Sequence, residues 1–366
     1  MQDNFQGSHY IGDGTSAFGM AQSAPRNLQL SFTGSGSEFF RIWIVNALLS
    51  IVTLGIYSAW AKVRTLQYFY RNTRLDGATF DYHGRPTAIL KGRAIIFVMV
   101  LAYKAAIHVA PILALVLAIA LAAVFPYLLV RSLRFRMANS SYRGLRFAFT
   151  GKDAEGYKVF LLWPILTVLS LYLLAPFAHQ RFKRYQHNHT RFGTAPFAFE
   201  ATASAFYGVY LRTAFVVAIF LIGGGLVGGL VGGSLAAAAG RTPAAMAMVF
   251  GMMTIGLYLG LMLIGPYFTA RLQNLVWNNT TLAPHRFRSE VRAGQLFGIV
   301  LTNFILTALT LGLFYPFARV RSTRYRVESV TMIAAGPLDA FVAGEQQQVG
   351  ALGEAAVDWY DIDIAL

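Results

Sequence analysis

The chain has 366 residues, of which 56% are hydrophobic and 13% charged, and its formal net charge is +15. Soluble domains have nearer a quarter of their residues charged, so the composition argues against a water-soluble protein and favours a membrane protein. Because the chain has no cysteine, disulfides, thiolate nucleophiles and cysteine metal sites are excluded.

Residues 1–27 are predicted to be a disordered tail. They lack the basic and apolar regions of a signal peptide, so the first hydrophobic segment is expected to stay in the mature protein. Beyond them, each of seven hydrophobic segments approaches or reaches the roughly 20 residues that cross a bilayer as a helix. They lie at about 39–60, 94–110, 111–130, 158–178, 211–235, 244–268 and 294–318. These segments predict an all-α polytopic membrane protein.

A repeated pattern follows five of these segments, with an arginine, an asparagine and a phenylalanine spaced eight residues apart. Three copies match in full: Arg64, Asn72 and Phe80; Arg131, Asn139 and Phe147; Arg271, Asn279 and Phe287. The fourth copy has Arg181, His189 and Phe197, and the fifth keeps only its start at Arg321. The pattern predicts five units in a membrane domain over 28–342. Their bounds are about 28–84, 92–151, 156–201, 206–288 and 293–342.

Short stretches of alternating aromatic residues follow the basic part of several units. They lie at 80–84, 147–151 and 197–199, and residues 28–34 form a similar piece before the first segment. Alternation with period two is typical of half-buried strands. The sequence therefore predicts short cytoplasmic strands that form a small sheet beside the helices.

The membrane topology poses a conflict. All five basic stretches should face the cytoplasm under the positive-inside rule. Some of them, however, are separated by only one apolar segment, and a single spanning helix would place its two ends on opposite sides of the membrane. In one account, the segments at 39–60, 158–178 and 294–318 are bent or re-entrant, with breaks near Gly55, Pro164 and Gly312. In the other account, all seven segments span and some basic stretches face outward.

The chain resembles the YjgN family of bacterial inner-membrane proteins at several of these motifs. They are FFRIWIVN at 39–46, TLGIYSAWAKVR at 53–64 and FDYHG at 80–84, and the resemblance covers residues 28–366. It implies a multi-pass protein of the bacterial cytoplasmic membrane, without an assigned reaction. Members of the family are often encoded beside a membrane-associated metallopeptidase, so the resemblance also suggests such an enzyme as a partner.

Lys104 and His108 lie four residues apart on an apolar segment, where a buried ionisable pair is a candidate proton or anion relay. The alternative is that Lys104 reaches the membrane interface by snorkelling. Asn46 and Asn303, which occupy equivalent positions in the first and last units, are predicted to lie near the path of any solute.

His179, His187 and His189 form the one histidine cluster in the sequence. Residues 187 and 189 point to different faces of a helix, so a solvated basic flank is favoured over a zinc site. Because the usual hydrolase and nucleotide-binding motifs are missing, we expect no enzymatic activity and no cofactor.

The repeated arginines Arg64, Arg131, Arg181, Arg271 and Arg321 are predicted to form a basic cytoplasmic face. They either fix the topology, bind anionic lipid headgroups or a scaffolded partner, or line a vestibule for an anionic solute. An acidic C-terminal tail, residues 343–366, either docks on this face or is recognised by a partner. Its candidate contact residues are Asp358, Trp359, Asp361 and Asp363.

The sequence thus favours a non-enzymatic scaffold or accessory protein of the inner membrane, which binds lipid or a partner protein. The alternative is a transporter or channel for a small anionic solute. Nucleic acid is not an expected partner, because the positive charge is concentrated beside apolar segments of bilayer length.

Overall fold

A ring of short antiparallel strands carries five helical hairpins in the computed structural model, which describes residues 25–238, 242–339 and 341–348. The strands of the first half are β1 (Arg26–Gln29), β2 (Ser31–Phe32), β3 (Thr73–Leu75), β4 (Ala78–Tyr82), β5 (Ser140–Tyr142) and β6 (Leu145–Phe149). Those of the second half are β7 (Thr190–Phe192), β8 (Ala195–Phe199), β9 (Thr280–Leu282), β10 (His285–Ser289) and β11 (Val330–Ala334).

The sheet nearly closes on itself as a barrel. Its strand order is β1-β11-β10-β9-β8-β7-β6-β5-β4-β3-β2, so the two edges are β1 and β2. These two strands are consecutive in the chain, with only Leu30 between them, and the Leu30 amide donates to the carbonyl oxygen of Val330 at 3.0 Å. The N-terminal stretch therefore joins the last strand to the first hairpin, which leaves little free edge.

Tight turns and an apolar inner face explain why such short strands form. Asp76–Gly77 and Arg143–Gly144 connect their strands in two residues with positive φ values, as hairpin turns require. Phenylalanines from four successive hairpins pack with the buried core of the barrel: Phe80, Phe147, Phe197 and Phe287. Each short hairpin is thus stabilised by its neighbours, since an isolated one is marginal in water.

The helices form pairs, in which an outgoing helix runs away from the barrel and a returning helix runs back to it. The first four are α1 (Gly36–Val52), α2 (Ser58–Arg71), α3 (Pro86–Val109) and α4 (Pro111–Ala138). Next come α5 (Asp153–Tyr157), a π-helical turn (Lys158–Leu162), α6 (Trp163–Leu169) and α7 (Ala175–Asn188). The last four are α8 (Ala203–Ala238), α9 (Pro243–Asn278), α10 (Ala293–Leu309) and α11 (Tyr315–Glu328).

The five returning helices end with the same hydrogen bond. The side chains of Asn72, Asn139 and Asn279 each donate to the carbonyl oxygen four residues earlier, at 2.7–2.9 Å. His189 and Ser329 contact the equivalent carbonyl oxygens at 2.9 and 2.6 Å. The side chains add a second donor to a carbonyl oxygen of the last turn; at Asn72, Asn139 and Ser329 the backbone amide of the same residue donates to that oxygen as well. Ser329 thus fills the asparagine place in the fifth unit, where the sequence pattern is lost.

The prediction of an all-α protein with seven hydrophobic helical segments is wrong. The sheet has eleven strands in a nearly closed ring and is a principal part of the fold. Among the described residues, three helices are long and apolar enough to cross a membrane: Pro86–Val109, Pro111–Ala138 and Ala203–Ser234. The segments at 39–60, 158–178 and 294–318 contain turns, so each is divided between an outgoing and a returning helix.

These turns resolve the conflict over the membrane topology. The breaks lie at Thr53–Tyr57, Ser170–Leu174 and Thr310–Phe314, and in each case the chain returns to the barrel. Two of them include Gly55 and Gly312, at φ +90° and +93°. The third is not near Pro164, which lies at the start of α6. Because the second helix of every hairpin ends at the barrel, all five basic stretches lie at the same end of the barrel.

A short helix after β11 closes the turn-side end of the barrel; residues 338–339 and 341–348 are helical. Leu338 and Val342 are buried in the barrel core, and Phe341 packs edge-on against His285 with ring centroids 4.5 Å apart. Glu345 is also buried, and its Oε2 accepts hydrogen bonds from the Thr194 and Ala195 amides at 2.6 and 2.9 Å. We call this segment the C-terminal helix.

Candidate functional site

The five repeated arginines occupy the same position on the five returning helices. Each lies eight residues before the residue that caps its helix, which corresponds to about 12 Å along the axis. Salt bridges join none of them to a carboxylate among the residues that the structure describes. We call this set the arginine ring; it consists of Arg64, Arg131, Arg181, Arg271 and Arg321.

Aromatic side chains accompany four members of the arginine ring. The guanidinium groups of Arg64, Arg181 and Arg271 lie 4.8–5.8 Å from the ring centroids of Tyr57, Phe177 and Tyr267. Arg131 donates to the Tyr127 hydroxyl at 2.9 Å. Cations beside tyrosine and other aromatic rings are typical of the level where a membrane meets water. The arginine ring therefore defines a candidate interface with lipid headgroups.

The three short hairpins end in exposed leucines beyond this level. Leu54, Leu171 and Leu311 are 94%, 84% and 95% exposed, and their φ values are +48°, +51° and +50°. An L-residue loses roughly 1 kcal/mol or more in this left-handed region, and the exposed apolar surface adds a further cost in water. Contact with acyl chains would remove the second cost.

The three hairpin tips share one hydrogen-bond pattern. The hydroxyls of Thr53, Ser170 and Thr310 each accept from the amide four residues later, at 2.9–3.1 Å. The residue after each leucine donates its amide to a carbonyl oxygen five residues back, at 2.7–2.8 Å. At residues 170–172 the motif is Ser-Leu-Tyr in place of Thr-Leu-Gly, so the sequence has no glycine that would indicate this tip.

The equivalent asparagines Asn303 and Asn46 are both buried but have different surroundings. Asn303 donates to the carbonyl oxygen of Ala318 and contacts the Ser322 hydroxyl, both at 3.1 Å, and it accepts from Arg321 at 3.0 Å. The Asn46 side-chain amide has no hydrogen-bond partner among the described residues. Both helices that carry them, α1 and α10, pack against α11.

Lys104 and His108 lie elsewhere, on exposed positions of α3. This helix packs against α2 and α4. The proposed relay and its relation to the two asparagines therefore stay predictions. The tail residues Asp358, Trp359, Asp361 and Asp363, like the predicted N-terminal tail up to residue 24, lie outside the described residues.

The three clustered histidines have separate partners. His179 is hydrogen-bonded to the Tyr210 hydroxyl at 2.9 Å, and His187 contacts the Thr280 hydroxyl at 3.3 Å. His189 caps α7, and its Nε2 atom lies 3.2 Å from Oε2 of Glu155. Within the described ranges, no group of three or more potential ligands is placed to hold a metal ion.

Two further cations, Lys183 and Arg326, lie near the barrel ends of their helices. Burial lowers the pKa of Lys183 on α7, and the positive charge of Arg326 on α11 lowers this pKa further. The helices α8, α9 and α10 lie between α7 and α11 in the ring of helices. Arg326 also donates to the Gln273 side chain at 2.7 Å.

Comparison with known proteins identifies relatives along nearly the whole chain. The family described as "Bacterial protein of unknown function (DUF898)" matches residues 27–359. "Inner membrane protein YjgN" of Salmonella typhimurium (strain LT2) is 25% identical, over 80% of this chain and 85% of that protein. The protein of the same name from Escherichia coli O157:H7 is 30% identical, over 38% of this chain and 35% of its own length. No solved structure matches.

Proposed function

Because this chain belongs to the DUF898 family of bacterial proteins of unknown function, and its relatives are named inner membrane proteins, we propose that it is a multi-pass inner-membrane scaffold. In this proposal it has no enzymatic activity and holds anionic lipid and a partner protein at its basic face. The observation that carries the proposal is the arginine ring, whose members lie at equivalent helix positions and form no salt bridge with a carboxylate in the described ranges.

The proposed arrangement places the barrel on the cytoplasmic side of the membrane. At 1.5 Å per residue, α3 and α4 extend about 36 and 42 Å, enough to cross a hydrocarbon core of about 30 Å. The longer pair, α8 and α9, crosses as a second hairpin. The α1 and α10 helices have 17 residues each, about 25 Å, so the short hairpins end within the membrane.

We further propose that the chain consists of five copies of one unit. A unit comprises an outgoing helix, a returning helix with its arginine and its cap, and the strand or hairpin that follows. The shared cap hydrogen bonds and the common position of the arginines support this proposal. Five copies around the nearly closed sheet place five cations in a ring about 12 Å from it, a suitable arrangement for anionic headgroups.

The lipid-binding role can be tested by measuring which lipids stay bound to the purified protein. In nanodiscs that contain phosphatidylethanolamine and phosphatidylglycerol, native mass spectrometry should show phosphatidylglycerol enriched on the protein. We expect the triple variant Arg64→Gln, Arg131→Gln, Arg271→Gln to lose most of this enrichment, because each cation contributes about 1 kcal/mol, or about fivefold.

The matched control is the triple variant Arg74→Gln, Arg146→Gln, Arg286→Gln, which removes three exposed cations from barrel strands. It should retain the enrichment of the wild-type protein. Equal enrichment in all three proteins, or equal loss in both variants, would contradict a specific role for the arginine ring.

A transporter or channel for a small anionic solute is the second candidate function, and the burial of the Lys183 cation, with the positive charge of Arg326 acting on it, favours it. Two features of the barrel oppose a straight path along its axis. Its interior is packed with apolar side chains, and the C-terminal helix covers its turn-side end. We therefore prefer the scaffold.

A further inference from the structure

A basic pocket of about 640 Å³ lies beside the third hairpin. One wall consists of α5 and the π-helical turn, and the other is the face of α7 from Arg181 to His189. The pocket extends from the barrel, at Lys152 and His189, to Trp163 at the start of α6. It thus covers the height between the sheet and the arginine ring.

The pocket has an excess of positive charge. Four permanent cations line it: Lys152, Lys158, Arg181 and Arg184. Glu155 is the one carboxylate in its lining, and its Oε2 atom lies 3.2 Å from Nε2 of His189. No carboxylate pairs with any of the four cations among the residues that the structure describes.

One buried hydrogen-bond donor in the lining of the pocket is left unused. The Nε atom of Arg181 is buried without a hydrogen-bond partner in the described part of the chain. A buried donor has lost its hydrogen bonds to water, so an acceptor on a bound ligand would stabilise it. Tyr185 is not available for an incoming group, because its hydroxyl donates to the carbonyl oxygen of Lys152 at 3.0 Å.

The pocket owes its shape to local backbone features. The π-helical turn places Lys158 and Trp163 on the same wall, and turns of this kind occur often at functional sites. Gly156 allows α5 to pack closely on α4, since a Cβ atom there would lie 2.3 Å from a methyl carbon of Val130. This contact fixes the wall that carries Lys152 and Lys158.

From this geometry we infer that the pocket binds a phosphate-bearing anion, either the headgroup of an anionic lipid or free inorganic phosphate. Cationic side chains on two walls match a group with several acceptor oxygens, and arginine can donate two parallel hydrogen bonds to it. Trp163 supplies an apolar surface beside the charged part of the ligand. The inference deepens the proposed lipid-binding function, because it assigns one defined site apart from the general cationic face.

Binding can be measured by titration calorimetry on the full chain in an uncharged detergent. One arm uses dihexanoyl phosphatidylglycerol, the other inorganic phosphate. The test variant is Lys158→Ala with Arg184→Ala, two exposed residues. We expect binding to weaken roughly 10- to 30-fold, as for the loss of two headgroup-facing cations. The control variant, Arg74→Ala with Arg286→Ala, should bind like the wild-type protein, and thermal unfolding of each variant checks its fold.

The two arms separate the sources of the ligand. Saturable binding of the lipid alone identifies a headgroup site, whereas binding of phosphate with the same loss in the test variant identifies a phosphate site. If neither probe binds saturably, or if the test variant binds like the wild-type protein, the inference is overturned. Lys158 and Arg184 are intact in the arginine-ring variant, so failure of the pocket and failure of the ring can be distinguished.

Discussion

Replacement of Glu345 by alanine is expected to lower the free energy of unfolding by about 2–3 kcal/mol, although this residue lies near the end of the described chain. Its Oε2 atom accepts three hydrogen bonds, from the Thr194 amide at 2.6 Å, the Thr194 hydroxyl at 2.8 Å and the Ala195 amide at 2.9 Å. Alanine would leave these donors without the charged acceptor and would loosen the C-terminal helix from the barrel.

Thermal unfolding of the purified protein in detergent measures this loss. Glu345→Gln should be less harmful than Glu345→Ala, because an amide oxygen still accepts hydrogen bonds. The matched control is Gln347→Ala on an exposed position of the same helix, which should unfold like the wild-type protein. If Glu345→Ala were as stable as Gln347→Ala, the hydrogen bonds of Glu345 would not contribute to holding the C-terminal helix on the barrel.

The stability of the protein is expected to fall as the pH is lowered from about 6.5 towards 4, and His187 should account for part of this fall. Burial, with the charge of Lys183 as a smaller cause, lowers the pKa of His187 from 6.5 to about 4. Its ring stacks on Phe199 at 5.3 Å. The Thr280 hydroxyl donates to the carbonyl oxygen of Val276, so it is left to accept from neutral His187.

The direction of this change of stability with pH follows from proton linkage. Between pH 6.5 and 4 the unfolded chain binds a proton at His187 that the folded chain does not, so acid favours unfolding. The contribution of neutral His187 to the free energy of unfolding is complete above about pH 6.5, and up to about 3 kcal/mol of it is lost near pH 4. Burial also lowers the pKa of His285, which contributes with the same sign.

The variant His187→Phe should therefore lose less stability than the wild-type protein between pH 7 and 4.5, whereas His83→Gln, at an exposed position, should follow the wild type. Denaturant or thermal unfolding at several pH values gives the comparison. A pH dependence in His187→Phe equal to that of the wild-type protein would show that His187 is not held neutral in the folded state.

The spacing of arginine, asparagine and phenylalanine predicted positions that have equivalent roles in the structure. Asn72, Asn139 and Asn279 cap helices, and the phenylalanines eight residues later lie inside the barrel. The barrel itself was not predicted, because β3, β5, β7 and β9 have three residues each, too few for alternation to be recognised. Closure also depends on a pairing between β1 and β11, about 300 residues apart, which no local pattern encodes.

The prediction of seven helical segments was wrong because the length of an apolar segment does not distinguish one membrane-spanning helix from a short helical hairpin. The pairs Leu54–Gly55 and Leu311–Gly312 gave a visible signal for a turn, whereas Leu171–Tyr172 did not, since tyrosine seldom takes a positive φ. The basic pocket also escaped prediction. Lys158 and Arg184 are 26 positions apart in the sequence, and only the packing of α7 beside the π-helical turn brings them together.

The depth of the three short hairpins in a bilayer tests the proposed membrane arrangement most directly. Because the natural chain has no cysteine, single cysteines at Leu54, Leu171 and Leu311 can each carry a spin label, with Thr79→Cys on the barrel as the control. In reconstituted bilayers, we expect the three tip labels to collide with oxygen and to be protected from a water-soluble nickel chelate, whereas the Thr79 label should show the reverse. Tip labels as accessible to nickel as the Thr79 label would contradict the account.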